Sequence, residues 1–228
     1  MTIAIIPARG GSKRIPRKNI KLFHGKPILT YAIETAIESG LFSRVIVSTD
    51  DEEIAQIAKN FGAEVPFLRS NENADDFAST SSVLIEVLDQ LTSIGESFTS
   101  ACCIYPTSPL IDSKDLINAS EQFITSECDV LISSVAYSFP IQRSFHLNEA
   151  NMVELNQPLA INERSQDLVK NYHDAGAFYF FDTEKFTASK SLWLGKIGAF
   201  ELSELKVQDI DTLEDWKIAE LKYSILHP

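Results

Sequence analysis

Cysteine is scarce in this chain, with three in 228 residues. An odd count at Cys102, Cys103 and Cys128, without metal-ligand spacing, makes neither a disulfide framework nor a zinc site. Two of them fall in the apolar segment ACCIYP (Ala101–Pro106) and read as reduced core residues, which points to the cytoplasm. Long apolar runs are missing as well. No stretch approaches the ~18 residues needed to span a bilayer, so no membrane partner is expected. The opening MTIAIIPARGG has too short an apolar run, and no charged lead-in, for a secretory signal. There is no Pro/Gly/Ser-rich linker, internal repeat or low-complexity tract. With 44% hydrophobic residues, positions 1–228 therefore read as one domain with a full core. Positive charge is in short supply: 20 Lys and Arg face 32 Asp and Glu, a formal net charge of -12. That balance argues against nucleic acid as a partner.

The few cations are unevenly spread. Arg9, Lys13, Arg14, Arg17, Lys18, Lys21 and Lys26 all precede the first acidic residue, Glu34. An acidic chain with a purely basic opening points to an anionic small molecule there, or to a solvated basic arm. Composition leaves both open. Strand-length apolar runs alternate with helical patterns. Thr2–Pro7 is a continuous run of the kind buried on both faces of a sheet. Pro27 is placed to open a helix whose stripe is Leu29, Ala32, Ile33, Ala36 and Ile37, with Gly40 as its stop. Arg44–Asp50 reads as a strand, 51–60 as a helix, 64–68 as a short strand and 79–94 as a helix. Ala101–Pro106 is a strand, Ser113–Ser126 a helix and Asp129–Ala136 a strand. Gly176–Phe181 and Lys196–Leu202 are later strands. Asp211, with Glu214 three residues on, looks like the cap of a last helix carrying Leu213, Trp216, Ile218, Ala219 and Leu221. The pattern loosens over 137–175, which reads as an inserted arm. The fold class is α/β: a Rossmann-like, mostly parallel, doubly wound sheet.

Ligands of such sheets bind beyond the carboxyl ends of the strands, and three motifs fall there. PARGGSKRIPRKNI follows the first strand. Gly10 and Gly11 permit a tight turn whose N–H groups can face one anion, Ser12 adds a hydroxyl, and Arg9, Lys13 and Lys18 add charge suited to a triphosphate. The adjacent glycines are not a Walker A loop, which argues against a P-loop kinase or ATPase. YPTSPL (Tyr105–Leu110) is either a rigid pocket wall, with Tyr105, Thr107 and Ser108 facing a ligand, or an ordinary turn. In QDIDT (Gln208–Thr212), Asp209 and Asp211 alternate on extended chain, so both carboxylates can face one side and hold Mg²⁺ beside phosphate oxygens. The other reading makes Asp211 a helix cap and leaves Asp209 solvated.

These residues together resemble the CMP-sialic acid synthetases. The resemblance is carried by Arg9-Gly10-Gly11-Ser12-Lys13, by Pro16, Lys18, Asn19 and Ile20, by Gly25-Lys26-Pro27, and by VSTDDEEIA (Val47–Ala55), YPTSPL and DIDT in the same order. Within that family the chain is most similar to the pseudaminic acid cytidylyltransferases, on KRIPRKNI (Lys13–Ile20), FPIQR (Phe139–Arg143) and Tyr172-His173-Asp174-Ala175-Gly176. The family usually has Gln where Tyr105 stands and Asn where Ala175 stands, which suggests a different acceptor sugar.

The resemblance implies a nucleotidyltransferase fold and transfer of CMP from CTP to an acidic nine-carbon sugar, with Mg²⁺ held by Asp209 and Asp211. Arg9, Gly10, Gly11, Ser12, Lys13 and Lys18 would hold the phosphates, with Asn19 near the nucleotide. Arg69 and Thr80 would line the cytidine pocket, with Asp76 between them. Arg9, Lys13, Lys18, Asp209 and Asp211 are thus the catalytic candidates. Gln142, Arg143, Arg164 and Gln166 are candidates for the sugar end, an arginine being suited to grip a carboxylate bidentately. His173 and Asp174 join them, although His173 equally reads as a packed histidine beside Tyr172. Family likeness also implies a homodimer whose arm reaches over the partner's site. The rival readings are the same chemistry on N-acetylneuraminic, legionaminic or an eight-carbon acid sugar, and a catalytically silent nucleotide-binding regulator.

Overall fold

The computed structural model describes residues 1–74 and 78–228. In chain order it contains β1 (Thr2–Pro7), β2 (Leu22–Phe23), β3 (Lys26–Pro27), α1 (Leu29–Glu38), β4 (Arg44–Ser48), α2 (Glu52–Asn60), α3 (Asn71–Ala74), α4 (Thr80–Ser93) and β5 (Ser100–Ile104). There follow α5 (Ser113–Ser126), β6 (Val130–Ala136), β7 (Phe145–Leu147), β8 (Val153–Leu155), β9 (Tyr172–Asp182), α6 (Thr183–Ser189), β10 (Ile197–Glu201) and α7 (Leu213–Leu226). Six strands form one sheet in the order β10-β6-β9-β5-β1-β4. The pairs β1–β4, β1–β5 and β6–β10 are parallel, and β9 runs antiparallel to both β5 and β6.

The alternation within β1 shows why the sheet is covered twice. Ala4 and Ile6 point into a cluster with Leu29, Ala32 and Ile33 of α1, Ile54 and Ala58 of α2, and Leu116 and Ala119 of α5. Ile3 and Ile5 point the other way, onto Leu84, Val87 and Leu91 of α4 and Phe186 of α6. A strand with period-2 side chains and helices on both faces must be apolar on both, and Ile3, Ala4, Ile5 and Ile6 are fully buried. A third cluster joins Ile15 of the basic loop to Phe23, Ile28, Tyr31, Ile210, Trp216 and Ala219. It docks the start and the end of the chain together beside the carboxyl ends of the strands.

Five expectations need correction. Pro27 does not open α1; it pairs with Leu22 in the β2–β3 hairpin, and α1 begins two residues later after Ile28. The strand expected over 64–68 is a single bridge, Ile46 to Glu64. The β9 strand starts at Tyr172, earlier than the apolar run at Gly176, because YHDA pairs with β6 across an irregularity in register. Asp211 does not cap α7. Thr212 does, accepting from the Asp215 N–H, while the Asp215 carboxylate accepts from Thr212 N at 2.7 Å and from Asp211 N at 3.1 Å. Of the expected apolar face of α7, Trp216 and Ala219 are buried, but Leu213, Ile218 and Leu221 are exposed. The segment 137–171 leaves the sheet and carries the separate two-stranded β7–β8 hairpin.

Candidate functional site

The loops after β1 and β5 and the start of α4 enclose a cavity of about 480 Å³. Arg9, Ser12, Lys13, Arg14, Ile15, Lys18 and Asn19 come from the loop after β1, and Tyr105, Pro106 and Thr107 from the end of β5. Arg69, Asn73, Ala78, Thr80 and Val83 complete the wall. Among the described residues five cations line it, Arg9, Lys13, Arg14 and Lys18 of the β1 loop and the buried Arg69, together with the uncharged Thr80, Val83, Tyr105, Pro106 and Thr107. A concave site lined, among the described residues, by cations and by no acidic residue suits an anionic small molecule.

The basic opening of the chain divides into two sets. Arg9, Lys13, Arg14 and Lys18 line the cavity. Arg17, Lys21 and Lys26 do not: Arg17 pairs with Asp51 and Glu53, Lys26 pairs with Glu34, and Lys21 lies 5.0 Å from the Trp216 ring. Arg17 adopts a left-handed backbone (φ 55), and its two carboxylate partners hold that turn in place. The Arg17 guanidinium holds the Asp51 carboxyl below the usual carboxylate range. The glycines also differ from expectation, since neither Gly10 nor Gly11 has a positive φ. Gly10 is glycine because a Cβ there would lie 2.8 Å from Asp51 Oδ2, and its N–H donates to Asp50 Oδ1 at 2.9 Å. Around Gly11 there is open space.

Asn19 is buried, donates through Nδ2 to the Arg9 carbonyl at 2.8 Å, and has a buried Oδ1 without a partner. An orphaned acceptor in a cavity wall calls for a ligand donor or water. Arg69 is buried, and its guanidinium donates to Ser48 Oγ at 3.1 Å and to the Ser48 carbonyl at 2.6 Å. Burial holds its pKa below the ordinary arginine value. It staples the 69–73 segment to the end of β4, while Glu86 accepts from Ser70 N and Asn73 Nδ2, both at 2.7 Å. Asp76 lies outside the described residues. Ser108, by contrast, turns its hydroxyl to the Ala177 carbonyl at 3.3 Å and is not among the cavity residues.

Asp209 and Asp211 flank the buried Ile210, so their side chains share the opposite face of this extended stretch. Lys18 Nζ donates to the Ile210 carbonyl at 2.7 Å and lies 3.7 Å from Asp211 Oδ1, and Arg14 Nη1 donates to Asp211 Oδ2 at 2.6 Å. The QDIDT segment is thereby tied to the cavity's cationic rim. Partial desolvation, reinforced by the neighbouring Asp211 charge, raises the Asp209 pKa. Two crowded carboxylates, one relieved by a guanidinium and the other carrying a raised pKa, are a donor set that a hard cation would stabilise. Among the described residues no group of three or more His, Cys, Asp or Glu gathers as a metal site, so phosphate oxygens and water would complete the coordination.

The sugar-end candidates stand elsewhere in the chain. Gln142 Nε2 donates to the Val169 carbonyl at 2.7 Å, and Arg143 donates to the Glu163 carbonyl. Arg164 pairs with Asp167 at 2.7 Å on the surface, and Gln166 is exposed. His173 packs its ring 4.8 Å from that of Tyr137, while Asp174 accepts from Tyr179 Oη at 2.7 Å and Gly176 N at 2.9 Å. None of these six lines the 480 Å³ cavity. Sequence reading passed over Arg14, Asn73 and Val83 as site residues. Arg14 was signalled by its place between Lys13 and Lys18, whereas nothing local marks Asn73 or Val83.

Comparison with known proteins agrees with this geometry. Residues 3–209 match the family described as Cytidylyltransferase. The chain is 42% identical over 225 residues to a pseudaminic acid cytidylyltransferase of Campylobacter jejuni, covering 99% of this chain and 97% of that protein. It is 32% identical to a CMP-N,N'-diacetyllegionaminic acid synthase of Legionella pneumophila, covering 96% and 94% of the two chains. Among solved structures, a CMP:2-keto-3-deoxy-manno-octonic acid synthetase complexed with CTP superposes with a TM-score of 0.72 at 18% identity, covering 99% of each chain, which is likeness of fold. On the match over residues 3–209 and these relatives, the chain belongs to the cytidylyltransferase family of nucleotidyltransferases.

Proposed function

We propose that this enzyme transfers CMP from CTP to pseudaminic acid, an acidic nine-carbon α-keto sugar, with release of pyrophosphate. The observation that carries the reading is the cavity lined by Arg9, Lys13, Arg14, Lys18 and Arg69, with no acidic residue among those described, beside the uncharged Thr80, Tyr105 and Thr107, a lining suited to a nucleoside triphosphate. The choice of sugar rests on the 42% identity to the Campylobacter jejuni enzyme, against 32% to the legionaminic acid synthase.

In this reading Arg9, Lys13, Arg14 and Lys18 bind the phosphates and offset charge that builds up as the anomeric hydroxyl attacks the α-phosphorus. Transfer of this kind depends on positioning and charge compensation more than on covalent help from the protein. Asp209 and Asp211 would hold Mg²⁺. When bound, that ion supplies charge neutralisation at phosphate oxygens and lowers the pKa of an attached hydroxyl. Arg14 and Lys18 orient the Asp211 carboxylate, and Asn19 offers its orphan Oδ1 to the nucleotide.

We further propose a homodimer in which the 137–175 arm of one chain completes the site of its partner. Phe139, Leu159 and Val169 on that segment are 82%, 87% and 76% exposed, an apolar surface that a partner would cover. The buried free thiols of Cys102 and Cys103 support a reducing, cytoplasmic setting. Among the described residues no helix is long and apolar enough to cross a membrane.

The test is a coupled pyrophosphate assay with CTP, Mg²⁺ and a panel of acidic sugars. Turnover should be highest with pseudaminic acid and fall by about a hundredfold or more in Asp211→Ala, which removes a proposed metal ligand. Turnover with legionaminic or N-acetylneuraminic acid alone would discard the sugar and keep the chemistry. Binding of CTP without any turnover would replace the enzyme reading with a regulator.

A further inference from the structure

The third apolar cluster brings two segments from opposite ends of the chain face to face. Ile15 and Ile210 are both buried in it. Their chain neighbours Arg14 and Asp211 stand outside the cluster and meet there, Arg14 Nη1 donating to Asp211 Oδ2 at 2.6 Å. The other oxygen, Asp211 Oδ1, faces Lys18 Nζ at 3.7 Å. Both oxygens of a proposed metal ligand are thus engaged by cations of the loop after β1.

The two cations are held differently. The Lys18 side chain is 22% exposed and is fixed by its hydrogen bond to the Ile210 carbonyl at 2.7 Å. The Arg14 side chain is 69% exposed, and among the described residues its guanidinium hydrogen-bonds to Asp211 alone. An ion pair so open to water is weak and readily exchanged. Arg14 also lines the cavity, and its guanidinium keeps further N–H donors for other oxygens. Arg17, three residues on, lacks that freedom because Asp51 and Glu53 hold it. With Ile15 locked in the cluster, exchange asks only for rotation of the Arg14 side chain.

We propose that Arg14 is a displaceable cation on Asp211: it competes with the divalent metal for that carboxylate and yields when a triphosphate in the cavity takes up its guanidinium. The inference rests on the Mg²⁺ reading of Asp209 and Asp211, and deepens it by giving the two binding events an order. A guanidinium and a divalent ion on the same carboxylate repel each other, so each weakens the hold of the other. Phosphate oxygens offer Arg14 a stronger, charge-assisted partner that it can grip bidentately. Once Arg14 has turned to them, Asp211 is released to the metal, and linkage makes the gain in affinity mutual. The metal therefore loads with the nucleotide rather than ahead of it.

The experiment titrates Mn²⁺ into wild type, Arg14→Ala, Arg14→Gln and Lys21→Ala, with and without CTP, following the electron paramagnetic resonance signal of the free ion. Without nucleotide, both Arg14 variants should bind Mn²⁺ about fivefold or more tightly than wild type. Lys21→Ala removes an equal charge from the same loop but none from Asp211, and should change that affinity by less than about twofold. Adding Asp211→Asn to Arg14→Ala should abolish the gain. An Arg14 that only binds phosphate, or only supports the loop, leaves the nucleotide-free affinity where it was. An unchanged or weaker Mn²⁺ affinity in folded Arg14 variants therefore overturns the proposal, and Arg14→Gln keeps most of the stem should Arg14→Ala fail to fold. The metal reading survives that outcome if Asp211→Asn still weakens Mn²⁺ binding in the presence of CTP. If Asp211→Asn leaves that binding unchanged, the metal reading falls and this inference with it.

Discussion

Gly10, Asp51 and Arg17 show how single residues shape the loop after β1. The Asp51 carboxylate caps α2 by accepting from Ile54 N at 3.0 Å, pairs with Arg17, and fills the space where a Cβ on Gly10 would stand. Gly10→Ala forces these atoms apart and should cost about 1–3 kcal/mol in urea unfolding, as overpacking does. Gly11→Ala meets nothing within 4 Å and should change stability by less than about 0.5 kcal/mol. The pair separates close approach from turn geometry as the reason for the two glycines. The Asp51 charge makes a second prediction. Its folded pKa lies below the unfolded value, so its contribution is present above the unfolded pKa and is lost as pH falls through the folded one. The gap in urea midpoint between wild type and Asp51→Asn should be open at neutral pH and begin to close below about pH 3.9. A gap independent of pH would mean that the pair contributes nothing through charge. From the sequence, Gly10 was identifiable as special but for the wrong reason. Asp51 lies 41 positions away, and no local pattern reveals that contact.

At the scale of elements, local chemistry was legible wherever a cap and a period agreed. Helix α5 begins and ends where its pattern places it, with Asp112 and Asp115 forming a reciprocal capping box. Helix α4 likewise starts after Ser79, whose hydroxyl accepts from Ser82 N. The misses came where tertiary contacts overrule local preference. Pro27 suits a helix start, yet the docking of Phe23 and Ile28 into the third cluster holds residues 22–27 as a hairpin. Asp211 suits a cap, yet Thr212 takes that place and leaves the Asp211 carboxylate to Arg14 and Lys18. Removing this cap with Thr212→Ala should cost about 1 kcal/mol and loosen the QDIDT segment, read as a lower thermal midpoint. Strand β9 was half legible: its apolar run was plain, while its polar start is a strand only because β6 pairs with it. Gly176→Ala at a φ of 60 should cost about 1–2 kcal/mol and disturb the Asp174–Tyr179 bond. A variant as stable as wild type would show that the turn is not strained.

On the scale of the whole molecule, an acidic chain gathers five of its few cations around one cavity, and the fold places that cavity at the carboxyl ends of β1 and β5. The α/β class was readable because the alternation of apolar runs and helical patterns is local, and so was the convergence of Arg9, Ser12, Lys13, Lys18 and Asn19, neighbours in sequence, on one cavity. Gln142, Arg143, Arg164 and Gln166, the sugar candidates, do not meet that cavity within one chain. The proposed homodimer would account for that separation. Light scattering should give twice the chain mass, and Phe139→Asp with Leu159→Asp should give monomers with little turnover. Monomers as active as wild type would refute the shared site. Transfer of CMP itself is tested most directly by following CTP, Mg²⁺ and pseudaminic acid with phosphorus NMR. The α-phosphorus should reappear as a sugar phosphodiester, in step with free pyrophosphate and only when the sugar is present. Release of inorganic phosphate, or of pyrophosphate with no phosphodiester, would contradict cytidylyl transfer.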